Sequence, residues 1–487
     1  MPWISLSDIM KLNSSSYPTN MDYKKLDALF HPKSIAVIGA SDNIFGSFMM
    51  KILLDYEFRG KIYPVNRRGG EVMGIKAYPS VIDIPDSVDY AFLQVPAQAS
   101  IQVIKDCAAK GIKLATLFTA GFGESEIKGG SELEQELLST ARQCGVRLLG
   151  PNCMGVYCPS AYLPFALGFP KETGAVGALC QSGGNSIQLV RAASQRGIRF
   201  SKVISFGNAT DLNEADLLEY FTQDTETKII IAYIEGVKEG KRFFQALKVA
   251  AQNKPVIVLK GGQSEAGAAT TLSHTGSLSG STRVWDSLLK QAGIIQAYDI
   301  DECVDIALAL LFMNPPVSKR AAVIGFGGGA IVQAADDCYR AGLLLPPLPQ
   351  EIREELKQFV PIAGNIFRNP MDFGGIHFIP SEMSRAVKII GGWTGTDSLI
   401  LCMGIEIAPI SLISFDLVAP LAEALINAAR ELGKPTVLAA YASYSTPACQ
   451  EVLKVREICA EAGFPFYHSI PQAANAISKL IRYHQAH

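Results

Sequence analysis

Short, almost unbroken apolar runs alternate along this chain with segments whose apolar residues recur every three or four positions. Ser34–Gly39, Tyr90–Pro96 and Leu114–Phe118 are runs of the first kind, and each is followed by a segment of the second kind. A strand covered by helices on both faces loses its in–out alternation and reads as one apolar run, whereas a helix lying on a sheet keeps the 3.6-residue period. The pattern therefore predicts strand–helix units and a parallel, doubly wound sheet within residues 26–150. The alternation resumes at Gly174–Leu179 and continues through Lys228–Ile234 and Pro255–Leu259. A third series starts at Arg320–Gly325 and contains the longest apolar run, Leu399–Ile405, closed by Glu406. Before it, Asn314–Ser318 carries two adjacent prolines, a break of the kind that separates domains. The expected divisions are a tail 1–25, α/β domains 26–150 and 151–300, a linker 301–317 and a third α/β domain 318–487.

A chain of 487 residues exceeds what one hydrophobic core supports, which agrees with three domains. The net charge of −2, without any basic block, argues against nucleic acid or an anionic membrane surface as the partner. The run Leu399–Ile405 is too short to span a bilayer, and the first residues have neither the basic nor the apolar region of a signal peptide. The ten cysteines form no CxxC pair and have no histidine at ligand spacing, so no metal site and no disulfide framework is expected. The expectation is a reduced, cytoplasmic protein.

Candidate chemistry gathers at the ends of the apolar runs. Gly39-Ala40-Ser41-Asp42-Asn43-Ile44-Phe45-Gly46 follows the first run and precedes a helical pattern from Ser47. It is not GxGxxG, yet its small residues let backbone approach an anion, and a helix N-terminus offers free N–H groups. A plain strand–helix turn is the alternative. The second run, Ile62-Tyr63-Pro64-Val65-Asn66-Arg67-Arg68, ends without the acidic residue that would bind a bare ribose; its basic residues suit a phosphorylated ribose better. Cys180-Gln181-Ser182-Gly183-Gly184-Asn185 is a second small-residue turn that opens a helix, suited to a phosphoryl group, and Gly325-Phe326-Gly327-Gly328-Gly329 repeats the device. Such glycines also serve packing alone. Glu235 closes a run, where α/β sites lie. His274 stands in Ser273-His274-Thr275-Gly276-Ser277, a polar stretch with little to pack, and the chain has only six histidines. A carboxylate such as Glu235 could hold one imidazole nitrogen and leave the other nucleophilic; a capping or solvated Glu is the bland alternative.

Together these residues resemble the NDP-forming acyl-CoA synthetases, the group of ADP-forming acetyl-CoA synthetase and, more remotely, succinyl-CoA synthetase. The resemblance rests on Ser34–Ser41, Val65–Arg68, Gly150-Pro151-Asn152-Cys153-Met154-Gly155, Gln181–Gly184, Gly207–Asp216, Tyr233–Gly236, Ser273–Gly280, Gly342-Leu343, Leu345–Leu348 and Asn369–Asp372. It implies a Rossmann-like CoA-binding domain followed by two flavodoxin-like domains of the succinyl-CoA synthetase kind. It implies a reversible reaction, acid + CoA + ATP to acyl-CoA + ADP + phosphate, through an acyl phosphate and a phosphohistidine. By it, His274 carries the phosphoryl group and Glu235 orients it. Gln181, Ser182, Gly183 and Gly184, with Gly327, Gly328 and Gly329, would hold the phosphate. Gly39, Ala40, Ser41, Gly46, Val65, Asn66, Arg67, Pro96, Thr119, Ala120 and Gly121 would hold CoA, with Asn152 and Cys153 near its thiol.

Two departures qualify the resemblance. Gly325–Gly329 stands where relatives more often carry an Asn-Ala-Gly-Gly turn. No ATP-grasp domain is visible, and no GxxxxGK[ST] occurs. The chain is thus expected to be an α-type subunit that takes ATP or ADP and Mg²⁺ on a separate ATP-grasp β-subunit, in an α2β2 assembly or around an α dimer. A catalytically inactive CoA-binding scaffold and an NAD(P)-linked dehydrogenase are the competing classes. The retained His274 and Glu235 weigh against the first, and the absent acidic ribose ligand against the second.

Overall fold

Because parallel strands bury both faces, the apolar runs become the centres of three sheets. The computed structural model describes residues 23–125, 127–267, 282–325, 327–405, 415–442 and 445–487. The first sheet contains β1 (Ser34–Ile38) and β2 (Lys61–Val65). A small antiparallel hairpin, β3 (Gly70–Val72) and β4 (Ile75–Ala77), follows, then β5 (Tyr90–Leu93), β6 (Leu114–Leu117) and β7 (Arg147–Leu149) complete the sheet. Its order is β2-β1-β5-β6-β7, all parallel. The second sheet is built from β8 (Gly155–Tyr157), β9 (Val176–Cys180), β10 (Phe200–Ser205), β11 (Ile229–Ile234), β12 (Val256–Lys260) and β13 (Ile295–Ala297). Its order is β13-β12-β11-β9-β10-β8, with only β8 antiparallel. The third, of β14 (Ala321–Gly325), β15 (Met371–Asp372), β16 (Ser398–Gly404), β17 (Thr436–Tyr441) and β18 (Phe466–Tyr467), runs β15-β14-β16-β17-β18.

Leaving β8 aside, all three sheets share one winding, in which the second strand in sequence lies outside the first and the third lies inside it. In such sheets ligands bind beyond the C-terminal strand ends where the order reverses. In the first sheet that point lies between β1 and β5, and in the second between β9 and β11. Every residue of β1, β9, β12 and β14 is buried. Full burial of a Val or Ile side chain contributes about 1.5–3 kcal/mol, so these runs anchor the domains.

Polar contacts join the domains. Arg147 Nε donates to Asp211 at 2.7 Å between the first and second. Between second and third, the buried Arg196 donates to Asp305 Oδ1 and to the Phe466 carbonyl, each at 2.6 Å. Burial lifts the Asp305 carboxyl to about 6 despite that guanidinium. One expected division differs. Residues 301–312, expected as linker, belong to a helix, Ile300–Phe312, whose Cys303–Ala309 stretch is buried. It packs against the helices Gly183–Ser194 and Ile470–Ala486. The prolines end this helix, and only the stretch after Phe312 connects. The helix Tyr23–Phe30 also begins inside the expected tail.

Candidate active site

The turn after β1 is held from below. Gly39 N and Ala40 N both donate to the Val65 carbonyl, at 2.8 and 3.2 Å. Gln94 Nε2, just past β5, donates to the Gly46 carbonyl at 2.6 Å and cinches the loop's far end. Gly39 has φ +94°, and a Cβ there would stand 2.5 Å from the Gln94 carbonyl oxygen. Only glycine lets this turn sit against β5.

Two cavities flank the turn. One, of about 490 Å³, is lined by Gly39, Val65, Asn66, Arg67, Val95 and Pro96 among others. Its walls are mostly apolar, with the Arg67 side chain and the polar Ser80, Gln102 and Asp106 also in the lining. The other, of about 630 Å³, runs from Gly39, Ser41 and Gly46 past Thr119, Ala120, Asn152 and Cys153 to Gln181–Gly184 of the second domain. Among the described residues, no charged side chain lines it.

The far end of this cavity is a helix N-terminus. Helix Gly183–Ser194 is capped by Ser182, whose hydroxyl accepts from Asn185 N at 3.2 Å. First-turn N–H groups have no partner inside a helix, so those of Gly183 and Gly184 are available to an anion beside the positive dipole end. Cys180, behind the turn, is inert: burial pushes its thiol up to about 12.

Glu235 stands next to this end because β9 and β11 are neighbours, with Tyr233 opposite Cys180. The buried Gln181 amide oxygen accepts from Glu235 N at 2.6 Å and Gly236 N at 3.0 Å, fastening the two strand ends together. The Tyr233 hydroxyl hydrogen-bonds both the Glu235 carboxylate and the Asn185 side chain, and burial raises its pKa. Lys260, at the end of β12, is also buried here; its ammonium donates to the Glu235 carbonyl at 2.8 Å and to the Gly261 carbonyl. Burial lowers the Lys260 pKa to about 8, with Glu235 pulling it back up. The second domain thus offers one carboxylate, one buried cation and a helix end at a single edge.

The two halves of the long cavity share a wall. Asn208 is buried, and its Nδ2 donates to Glu124 at 2.5 Å and Glu134 at 3.1 Å in the first domain. Its Oδ1 faces Asn152 Nδ2 at 3.5 Å. Cys153 lines the cavity but turns its buried thiol toward the Leu117 and Leu149 carbonyls, and burial lifts that thiol to about 12.

Some expected residues stand elsewhere. Ala40 is fully buried under the turn and lines neither cavity. Gly121 also lines neither; its N–H donates to the Glu124 carboxylate at 2.6 Å, so it is closed to a second anion. Gly327, Gly328 and Gly329 differ most from expectation. Asp372 occupies that helix end, accepting from Gly327 N at 2.9 Å and Gly374 N at 3.1 Å. The Gly327 N–H expected to hold phosphate is thus taken by a carboxylate of the same domain. His274 lies outside the described residues, as does Phe326. Lys260, Gln94 and Asn208 escaped sequence reasoning. Lys260 left a signal there, as a cation closing an apolar run, and Asn208 lies within Gly207–Asp216, a stretch that carries the family resemblance.

Two family models match parts of the chain. Residues 33–159 match the CoA binding domain family, and residues 173–310 the succinyl-CoA ligase like flavodoxin domain, whose span includes all but the last two residues of the helix Ile300–Phe312. The Acetate--CoA ligase [ADP-forming] II subunit alpha of Pyrococcus furiosus is 37% identical over 468 residues, 94% of this chain and 97% of that one. The Acetate--CoA ligase [ADP-forming] I of Archaeoglobus fulgidus is 34% identical over 461 residues, 94% of this chain but 64% of that longer one. Among solved structures, the dinucleotide forming acetyl-coenzyme A synthetase 1 of Ca. Korarchaeum cryptofilum, in complex with phosphate and ADP, aligns with a TM-score of 0.79 and 33% identity, covering 95% of this chain and 97% of that one. With its two matched domains and a likeness to a subunit alpha that covers nearly the whole of both chains, this chain belongs to the family of ADP-forming acyl-CoA synthetases, which are acid–thiol ligases.

Proposed function

We propose that this chain is the α-type subunit that joins a carboxylic acid to CoA through an acyl phosphate, with His274 as phosphoryl carrier. The observation that carries the reading is the long cavity. It runs without interruption from the turn at Gly39 to the helix end at Gly183, beside Glu235. CoA lies with its base and ribose phosphate against Asn66, Arg67 and Pro96, and its thiol reaches the cavity at Asn152. The Glu235 carboxylate accepts the N–H of one imidazole nitrogen of His274, so the other nitrogen bears the phosphoryl group. The N–H groups of Gly183 and Gly184 offset charge on the phosphoryl oxygens. The acid's carboxylate takes the phosphoryl group from histidine. The CoA thiol then loses its proton and attacks the acyl carbon, and inorganic phosphate leaves. Every step is reversible. The uncharged lining suits an acid whose tail carries no second carboxylate, as in the acetate of the relatives' names.

ATP or ADP, with Mg²⁺, is assigned to a separate β-subunit of ATP-grasp type, in an α2β2 assembly or around an α dimer. The name of the Pyrococcus relative, a subunit alpha of this chain's length, supports a partner, as does the surplus length of the Archaeoglobus one. The test is reconstitution. The chain with its partner and labelled ATP should give an acid-labile, base-stable phosphoprotein and acyl-CoA. The chain alone should bind CoA but make no acyl-CoA from ATP. His274→Ala should abolish synthesis and keep CoA binding. A fully active alanine variant, or ATP-driven synthesis by the chain alone, would overturn the corresponding part; an inactive scaffold would yield no phosphoprotein at all.

A further inference from the structure

The acyl carbon has to meet both the CoA thiol and the phosphoryl group, so the acid must lie where the cavity's two halves join. Met154 stands at that junction. It follows Asn152 and Cys153 on the first domain's side, and its side chain lies directly against the opening residue of the phosphoryl helix. A Cβ added at Gly183 would stand 2.7 Å from Met154 Cγ and 3.4 Å from its Sδ. The Met154 backbone is fixed, since its N–H donates to Ser205 Oγ at 3.1 Å. Another apolar part of the lining is braced: Phe118 stacks on Phe48 at 5.1 Å and on Phe92 at 6.1 Å between ring centroids. Both Phe118 and Met154 line the cavity. One part of the lining is therefore a braced aromatic ring and another a long flexible thioether, the side-chain type that fills irregular space.

The structure assigns to Met154 the role of setting the length of acid this enzyme accepts. The assignment rests on the proposed function, because it places the acyl group in this cavity. Met154 takes no part in phosphoryl transfer; its side chain fills the room into which a longer acyl tail would extend. Shortening it opens that room beside the helix end. Lengthening or stiffening it closes the room without touching the CoA turn.

The test uses the complete enzyme with its β-subunit and a series of straight-chain carboxylates from two to six carbons. The ratio of kcat/KM for each acid to that for acetate is measured for the parent, Met154→Ala and Met154→Phe. One methylene in an apolar pocket changes kcat/KM by about 10–200-fold. Met154→Ala is expected to raise the ratio for the four- and five-carbon acids at least tenfold. Met154→Phe is expected to lower the ratio for acids beyond two carbons, with the KM for CoA unchanged in both. The phenylalanine variant keeps the cavity filled, so it stands as the second readout if the alanine variant loses stability. An unchanged chain-length profile in folded variants overturns the assignment alone. A parent that activates no carboxylate overturns the proposed function and this assignment with it.

Discussion

Gly183 and Gly184 are adjacent, line the same cavity and open the same helix, yet the structure predicts opposite consequences for adding one methyl group. At Gly183 the methyl meets Met154 Cγ at 2.7 Å, so Gly183→Ala is a packing lesion. At Gly184 the nearest heavy atom among the described residues is Ser182 Oγ, at 3.9 Å. The new methyl therefore stands in open space on the cavity wall. Alanine is favoured over glycine inside a helix by up to about 1 kcal/mol, and less in its first turn. Gly184→Ala should thus unfold at or slightly above the parent's temperature. A phosphoryl oxygen held by the first-turn N–H groups needs the space the methyl takes. Losing one such donor to a developing negative charge costs about 2.7–4 kcal/mol, or a hundredfold and more in rate. The assay pairs thermal unfolding with single-turnover phosphorylation by the β-subunit and labelled ATP. The expected result is unchanged stability with phosphorylation slowed at least tenfold, since partial displacement falls short of complete loss. A Gly184→Ala variant as fast as the parent would refute the argument, and would mean that these glycines serve only to pack strand against helix.

Three further outcomes follow from the same geometry. Glu235→Gln should slow phosphorylation by about 100-fold, the usual scale for a lost acid–base or orienting group, and a rate within twofold of the parent would make Glu235 purely structural. Gly39→Ala should weaken CoA binding at least tenfold by calorimetry, because a residue with a side chain at φ +94° is strained and its Cβ collides with the Gln94 carbonyl; unchanged affinity would place CoA elsewhere. Lys260→Met should alter how stability depends on pH. The folded Lys260 pKa is about 8, below its ordinary value, so between pH 8 and about 10.5 the unfolded chain binds the extra proton. The parent's stability relative to the methionine variant should therefore rise with pH across that window, and parallel curves in chemical denaturation would show that Lys260 is not buried as a cation.

The legible parts of this molecule are those fixed by local pattern. β1, β5, β9, β11, β12, β14 and β16 announce themselves because burial on both faces leaves no polar alternation. β15 and β18, of two residues each, carry no pattern to read and exist only because a longer neighbour offers an edge. The helix Ile300–Phe312 was obscured by the opposite fault. Its middle is buried all round, Asp305 included, since it is covered by helices of both the second and third domains, and the nearby prolines drew the boundary too early. The same distinction governs the site. Glu235 and the turn at Ser182 could be found because the C-terminal ends of parallel strands are where such folds bind ligands. Asp372 could not be foreseen as the occupant of the third domain's helix end, because 45 residues separate it from the Gly327 N–H it accepts. Asn208 is the sharpest case. Asn208 lies within Gly207–Asp216, a stretch that carries the family resemblance, but the sequence there assigns it no role. Yet this side chain touches Glu124, Glu134 and Asn152, and the preceding Gly207 N–H donates to the Gln181 carbonyl at 3.1 Å. One loop therefore holds the CoA side and the phosphoryl side of the cavity in register. Its role arises from three segments that converge only after folding, which is why composition and period are silent about it and the family motif marks the stretch without giving the contact.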